Sequence, residues 1–418
     1  MLAQIEGSRA VADAVVRCRP RVVCAYPITP QTHIVEAVGA RVKAGELAPC
    51  EFVNVESEFA AMSVAIGASA AGARAYTATA SQGLLFMMEA VYNAAGLGLP
   101  IVMTLANRAI GAPINIWNDH SDARAARDAG WVQLFAATNQ EATDLHIQAF
   151  RLAEELSVPV MVCMDGFVLT HATERIDLPG QEQVDAFVPP YRPRQVLDPG
   201  DPVSIGTMVG PDAFEEVRYL AHARSREAVE RIPEIAAEFA ESFGRSSGGL
   251  VRPYRLDGAR VAVVAMGSVL GTLAEVVDTL RGRDLAVGTL GVTTFRPFPA
   301  EAIRRALVGA DRVVVVEKAF SIGFGGVLAT DIAMALSGVG IPVHTVVAGL
   351  GGRPITEASL GDAIEGAANG RLDEVTFLDL QRDMVDAELA RRAERHRSGP
   401  TAENVLRRVG AKQWATRP

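Results

Sequence analysis

Three blocks of the sequence carry side chains whose types and spacing could do chemistry. In CAYPITPQTHIVEAV, residues 24–38, Thr29 stands between Pro27 and Pro30 just past an apolar run. Each proline fixes its own φ and pushes the residue before it away from helical geometry. The backbone at Ile28 and Thr29 is therefore held extended, and Pro30 suits the first turn of the helix that follows. The result is a stiff elbow presenting the Thr29 hydroxyl at the carboxyl end of a strand; the plainer role for Thr29 is a helix cap. The second block, VNVESEFAAMSVAIGASAAGARAYTATASQGL, places Glu56 and Glu58 at a helix start, where the helix dipole favours carboxylates. Charge–dipole complementarity alone would account for them. But the helix is nearly all Ala, Gly, Ser and Met, so it must be buried or pressed on another surface. A carboxylate at its mouth is costly unless paired or functional. TATASQG then sets Ser81 and Gln82 at the next strand end, facing the same crevice.

The third block is ANRAIGAPINIWNDHSD. Arg108 follows an apolar strand, and a guanidinium is suited to bidentate capture of a carboxylate. Asn118, Asp119, His120, Ser121 and Asp122 share the loop beyond it. Serine, histidine and aspartate together admit a hydrolase, but no G-x-S-x-G nucleophile elbow precedes a helix here. His120 serves equally well as a hydrogen-bonded loop histidine. AVVAMGSVLGTLAE, SIGFGGVLA and AGLGGRPIT are glycine-rich, yet they lack both G-x-x-x-x-G-K-[ST] and G-x-G-x-x-G. They read as tight turns between strands and helices.

The elements that must position these groups are legible. RVVCAY, CEFVNV, RAYTATA, PIVMTLA, WVQLFAAT and PVMVCMDG read as strands. Between them PQTHIVEAVGARVKAG, ESEFAAMSVAIGASAAG, LLFMMEAVYNAAG and QEATDLHIQAFRLAEEL read as helices. Continuous apolar strands alternating with helices imply a parallel sheet covered on both faces, with ligands beyond the strands' carboxyl ends. From about Asp177 to Gly210 proline and polar residues suggest a surface linker, followed by a long charged helix with a break expected at Pro233. A second α/β unit starts near Ala259 with RVAVVAMGS, and a charged helical arm follows Glu374.

At 418 residues the chain suggests two or three domains, and its 49% hydrophobic content with 38 glycines suits tight helix–sheet packing. A net charge of −9 argues against a nucleic-acid or anionic-membrane surface. The amino terminus shows no signal-peptide pattern and no apolar run is long enough for a bilayer, so cytoplasm is the default compartment. Cys18, Cys24, Cys50 and Cys163 form no C-x-x-C pair, which favours free thiols over a metal site.

Through AYPITPQT, ESEFAAMSVAIGASAAGARAYTATASQGL, ANRAIGAPINIWNDHSD and VAMGSVLGTLAEVVD…FRPFP, in that order, the chain resembles the alpha subunit of 2-oxoacid:ferredoxin oxidoreductases. It is nearest to the pyruvate enzyme of the multi-subunit form, over roughly residues 5–355. The resemblance implies a doubly wound parallel sheet of the pyrimidine-binding thiamine diphosphate type, plus a smaller α/β domain like the transketolase C-terminal domain. It divides the chain into 1–176 (pyrimidine-binding), 177–257 (linker and helical segment), 258–355 (transketolase C-terminal-like, expected to be structural) and 356–418 (helical arm).

It further implies that Glu58, with Glu56 its near competitor, bonds the aminopyrimidine nitrogen, stabilising the imino form that deprotonates the thiazolium carbon. Thr29 and Arg108 would bind the 2-oxoacid, with Pro27, Ile28, Ser81 and Gln82 beside the cofactor. Ile28, Ile110, Pro113, Ile114, Trp117 and His120 would border the substrate pocket. The chain lacks a GDG-and-asparagine diphosphate signature, so a beta subunit is expected to hold the diphosphate and Mg2+. [4Fe-4S] clusters are expected on gamma and delta-type subunits, in a dimer of heteromers. The implied reaction is oxidative decarboxylation of a 2-oxoacid, pyruvate first, with coenzyme A, electrons leaving to ferredoxin. Branched or aromatic 2-oxoacids such as 2-oxoisovalerate and phenylglyoxylate, with NAD as acceptor, remain open, as does a non-catalytic scaffold.

Overall fold

The computed structural model describes residues 1–394 and 401–415. In chain order the strands are β1 Leu2–Glu6, β2 Val22–Ala25, β3 Glu51–Asn54, β4 Ala75–Thr79, β5 Ile101–Asn107, β6 Val132–Phe135, β7 Val160–Asp165 and β8 Thr173–Asp177. They continue as β9 Val251–Tyr254, β10 Val261–Ala265, β11 Val287–Val292, β12 Thr294–Arg296, β13 Arg312–Glu317, β14 Val343–Val347 and β15 Val375–Phe377. The helices are α1 Gly7–Arg17, α2 Thr32–Lys43, α3 Glu58–Ala70, α4 Ser81–Phe86, α5 Met88–Gly96, α6 Ser121–Ala125, α7 Asn139–Leu156 and α8 Gln181–Phe187. Beyond them lie α9 Pro211–Phe243, α10 Val269–Arg281, α11 Ala300–Leu307, α12 Val327–Ala335, α13 Glu357–Ala368, α14 Arg382–Glu394 and α15 Thr401–Ala415.

The first sheet runs β12-β6-β7-β5-β4-β2-β3 and is parallel except for β12. Every residue of β4, β5, β6 and β7 is buried, as continuous apolar strands between helical layers must be. Chain order reverses between β2 and β4: β3 lies to one side, β5, β7 and β6 to the other. A crevice opens at such a switch point beyond the strands' carboxyl ends. The second sheet runs β15-β14-β13-β10-β11-β9, parallel except for β9, with its own switch point between β10 and β13.

Two devices join the sheets. β12 leaves the second unit to pair antiparallel with β6, and Phe135, Phe295 and Ile303 share one apolar core that includes residues of both. The doubly wound parallel sheet with a second α/β unit is the architecture the sequence implies.

Several local expectations change. Pro30 lies ahead of α2, not in its first turn, and Gln31 rather than Thr29 holds the cap position. LLFMMEAVYNAAG divides at Met87 into α4 and α5. Pro233 does not end α9, whose Ala228, Ile232, Ile235 and Phe239 are buried; that apolar face outweighs one lost main-chain bond. The linker holds α8, and β1 pairs with β8 in a small sheet the sequence did not announce. The second sheet draws in β9 and β15, from outside 258–355. Of the C-terminal arm, 395–400 and 416–418 lie outside the described residues. No helix among the described residues is long and apolar enough to cross a membrane.

Candidate active site

The loops leaving β2, β4 and β5 meet at the first sheet's switch point. The β2 loop is the proline elbow, with Pro27 and Thr29 exposed and Ile28 half-buried. Among the described residues the Thr29 hydroxyl has no hydrogen-bond partner. Gln31, fully buried, anchors the elbow: its Nε2 donates to Tyr26 O at 3.2 Å and to Ala78 O of β4 at 2.7 Å. Sequence reading passed over Gln31 as an ordinary helix residue.

Ser57 caps α3, its Oγ accepting from Ala60 N at 3.2 Å. That cap makes Glu58 the first helical residue, buried at 8% exposure, and leaves Glu56 outside and exposed. No described donor bonds the Glu58 carboxylate. Facing it is Gly83 of α4, where a Cβ would stand 2.7 Å from Glu58 Oε1 and collide with Thr79 Oγ1. Thr79 Oγ1 is itself buried without a partner. The Glu58 side chain therefore packs directly on Gly83, an approach possible only because residue 83 has no side chain.

Arg108 ends the β5 strand run at 6% exposure. Its Nη1 donates to Thr29 O at 2.9 Å and its Nε to Asn115 O at 3.0 Å, while Nη2 donates to no described residue. Burial pulls its pKa down, and Asp122 opposes that pull. Asp122 is the hub behind both loops. Its Oδ2 accepts from Ser81 N at 3.0 Å and Arg108 N at 2.9 Å; its Oδ1 accepts from Asn107 Nδ2 at 2.9 Å and Ala123 N at 2.8 Å. Burial pushes this carboxyl up to about 7 despite the four donors. Ser81 sits at φ +48°, the left-handed region that costs a non-glycine residue about 1–2 kcal/mol. The Asp122 bond and a hydroxyl bond to Ala109 O hold it there. The Ser81 hydroxyl is thus committed to the protein. Gln82 turns its amide toward Gly111, where a Cβ would stand 2.8 Å from its Nε2.

In the loop beyond Arg108, Ile110 is half-buried, Pro113 and Ile114 are exposed, and Trp117 packs its half-exposed ring 4.8 Å from that of Phe167. His120, expected at the substrate pocket, is 1% exposed and sets Nε2 2.6 Å from Asp165 Oδ1. Burial lowers its pKa, and the facing Asp165 opposes that pull. Asp165 Oδ2 accepts from Lys318 Nζ at 2.9 Å, Ser268 N at 3.0 Å and the Ser268 hydroxyl. Burial pushes against the charged form of Asp165, but Lys318, His120 and Ser268 together hold it well below the usual carboxylate range. Ser268 and Lys318 follow β10 and β13, so the switch point of the second sheet is filled by a carboxylate from the first. No local spacing in the sequence could reveal that pairing.

A groove of about 680 Å3 lined by Arg19, Arg21, Arg74 and Tyr191 lies at the opposite, amino-terminal ends of β2 and β4. It is remote from this constellation.

Residues 13–237 match the family described as pyruvate flavodoxin/ferredoxin oxidoreductase, thiamine diP-binding, and residues 259–360 match pyruvate:ferredoxin oxidoreductase core domain II. The chain belongs to the pyruvate:ferredoxin oxidoreductase family. It is 49% identical over 390 residues to the pyruvate synthase subunit PorA of Methanosarcina barkeri, covering 91% of this chain and 97% of that one. It is 46% identical over 389 residues to the PorA of Thermotoga maritima, covering 90% and 97%. The ketoisovalerate oxidoreductase subunit VorA of Pyrococcus abyssi is 39% identical over 386 residues, covering 90% and 98%.

The fold is that of the 2-oxoglutarate:ferredoxin oxidoreductase from Magnetococcus marinus, with TM-score 0.65 and 18% identity over 87% of this chain and 65% of that one. A split-gene transketolase shares it at TM-score 0.53 and 16% identity, over 88% and 99%. As a member of the pyruvate:ferredoxin oxidoreductase family, this chain is an alpha-type subunit of a thiamine diphosphate-dependent 2-oxoacid:ferredoxin oxidoreductase. The residues present fit the cofactor's pyrimidine half: a buried carboxylate at a helix start without a donor, beside an unpartnered hydroxyl and a glycine that lets the carboxylate approach closely.

Proposed function

We propose that this chain grips the aminopyrimidine of thiamine diphosphate with Glu58 and binds pyruvate between Thr29 and Arg108. The assembly converts pyruvate and coenzyme A to acetyl-CoA and carbon dioxide and passes electrons through iron–sulfur clusters to ferredoxin. The observation that carries this reading is Glu58, buried at a helix start, packed against Gly83 and without a donor.

Thiamine diphosphate, when bound, supplies the carbon nucleophile and the electron sink for decarboxylation. Glu58, fixed at the start of α3, would offer its carboxyl group to the ring nitrogen for proton sharing. Pro27, Ile28, Ser81 and Gln82 would border the coenzyme. Arg108 offers Nη2 to the 2-oxoacid carboxylate, and Thr29 offers its hydroxyl to the developing oxyanion. Such a donor, fixed before the reaction, typically contributes about 3 kcal/mol. Ile110 and Trp117 border the substrate side chain.

The chain acts within a multi-subunit assembly. The proposed partners are a beta subunit with the diphosphate and Mg2+, and gamma and delta-type subunits with [4Fe-4S] clusters, in a dimer of heteromers. Phe59 and Phe86 support a covering partner beside Glu58: both are exposed, with ring centroids 6.5 Å apart. Residues 1–176 act as the pyrimidine-binding domain, 177–257 as linker, 258–355 as the second domain and 356–418 as an arm.

Relatives named pyruvate synthase support pyruvate, and the relative named for ketoisovalerate supports a branched 2-oxoacid as the second reading. Ferredoxin reduction by the purified complex, with pyruvate and 2-oxoisovalerate in parallel, tests both. Pyruvate is expected to give the higher kcat/KM; no turnover of either would overturn the proposal.

A further inference from the structure

We infer that the glycine-rich loop of the second α/β unit, Gly349 to Gly352, positions Arg108 for the 2-oxoacid by acting through Asn115. This rests on the reading that Arg108 binds that substrate.

Four contacts make the relay. Arg108 Nε donates to the Asn115 carbonyl at 3.0 Å. Asn115 Nδ2 donates to Gly351 O at 3.1 Å, across the boundary between the two units. Asn115 Oδ1 accepts from Trp117 N at 2.7 Å, and Gly351 N donates to Asp119 Oδ2 at 3.0 Å. The loop carrying Asn115, Trp117 and Asp119 is therefore pinned from the second unit while it bonds Arg108 at its inner edge. The His120 N–H donates to Lys318 O at 2.7 Å and adds a pin farther along.

The glycines are needed for this approach. Gly349, Gly351 and Gly352 all have positive φ, which glycine adopts without penalty. A Cβ on Gly351 would stand 2.6 Å from Asn115 Nδ2. One on Gly352 would collide with Trp117 Cβ and stand 3.1 Å from its Cγ. The AGLGGRPIT motif, which lacks a nucleotide-binding pattern, thus has a packing use next to the proposed substrate arginine. Arg108 has only main-chain acceptors at Nε and Nη1, so its orientation depends on where the Thr29 and Asn115 carbonyls are held. Asn115 and Gly351 are positioning residues and touch no substrate.

The test uses the assembled complex carrying Asn115→Ala, Asn115→Asp or Gly352→Ala. Aspartate keeps the acceptor for Trp117 N but loses the donor to Gly351. Each variant is expected to raise KM for the 2-oxoacid roughly tenfold, since small misplacements of a binding group are costly. The kcat and the thiamine diphosphate dissociation constant from calorimetry are expected to stay near wild type, as is the unfolding temperature of the Asn115 variants, whereas Gly352→Ala, with a Cβ at positive φ against Trp117, is expected to melt lower. If Gly352→Ala does not fold, the Asn115 variants decide. Wild-type KM in both Asn115 variants overturns the relay, provided Arg108→Lys raises KM. If Arg108→Lys also leaves KM unchanged, the reading of Arg108 as substrate ligand fails, and the relay with it.

Discussion

Arg108 Nη1 donates to the main-chain carbonyl of Thr29 across 2.9 Å. The two proposed substrate ligands come from loops after β5 and β2, on the two sides of β4, and this bond sets the spacing between them. Lysine at 108 has no planar fork with which to reach Thr29, Asn115 and a carboxylate together. Arg108→Lys is expected to lower kcat/KM for the 2-oxoacid about 10- to 100-fold, in keeping with about 1.5–3 kcal/mol for a bond to a charged group. Steady-state kinetics beside a thermal melt check this; the melt should stay near wild type.

Gly83 offers a test of the close packing that positions Glu58. Gly83→Ala introduces a Cβ 2.7 Å from Glu58 Oε1 and against Thr79 Oγ1. Overpacking of this kind typically costs about 1–3 kcal/mol. Calorimetric titration of thiamine diphosphate into the assembled complex should show weaker binding, with the 2-oxoacid KM little changed at saturating coenzyme.

Asp122 predicts a pH dependence. Its carboxyl is raised from 3.8 to about 7 by burial, against the hydrogen bonds from Asn107, Ser81, Arg108 and Ala123. Only the ionised form accepts all four donors. The kcat/KM for the 2-oxoacid should therefore rise with pH through about 7, and Asp122→Asn should flatten that limb. For stability the sign is opposite. The native state binds a proton that the unfolded chain releases near its usual value, so the Asp122 contribution is full below pH 3.8 and lost as pH rises through about 7. Chemical denaturation across this range, with and without Asp122→Asn, reads the second effect.

The Asp165–Lys318 pair joins the two α/β units from a fully buried position. Lys318→Met leaves the Asp165 carboxylate buried with only His120 and Ser268, at an expected cost of about 3–5 kcal/mol. Asp165→Asn with Lys318→Met removes both charges and should recover most of that loss. Because the Asp165 carboxyl is held well below its usual range, its stabilising contribution is present above the ordinary carboxylate pKa and lost as pH falls through the depressed value. Thermal unfolding of the single and double variants checks the prediction.

How much of this was legible depended on the range of the interaction. The apolar strands β4, β5 and β7 could be read directly, because burial on both faces demands unbroken hydrophobic runs. The pair Glu56 and Glu58 could be singled out because a small-residue helix is a local feature; the preference for Glu58 came from the resemblance alone, and the fold shows Glu56 outside the helix. Arg108 was readable as a strand-end guanidinium, but not its bond to Thr29, 79 positions away. The partner of His120 was hidden for the same reason: Asp165 lies 45 positions on, at the seam between the units. Asp122 stood among five polar loop residues and nothing marked it as the one with four donors. Pro233 suggested a helix break because its local cost is visible in the sequence and the apolar face that offsets it is not.

The central claim is that Glu58 polarises the pyrimidine half of the coenzyme. The most direct measurement is exchange of the thiazolium C2 proton for deuterium in the assembled complex at saturating thiamine diphosphate, followed by NMR after acid quench. Glu58→Ala is expected to slow exchange about 100- to 10,000-fold, the usual range for losing a positioned proton-transfer group, with folded subunit retained. Exchange at the wild-type rate in Glu58→Ala, with coenzyme bound, would contradict the account.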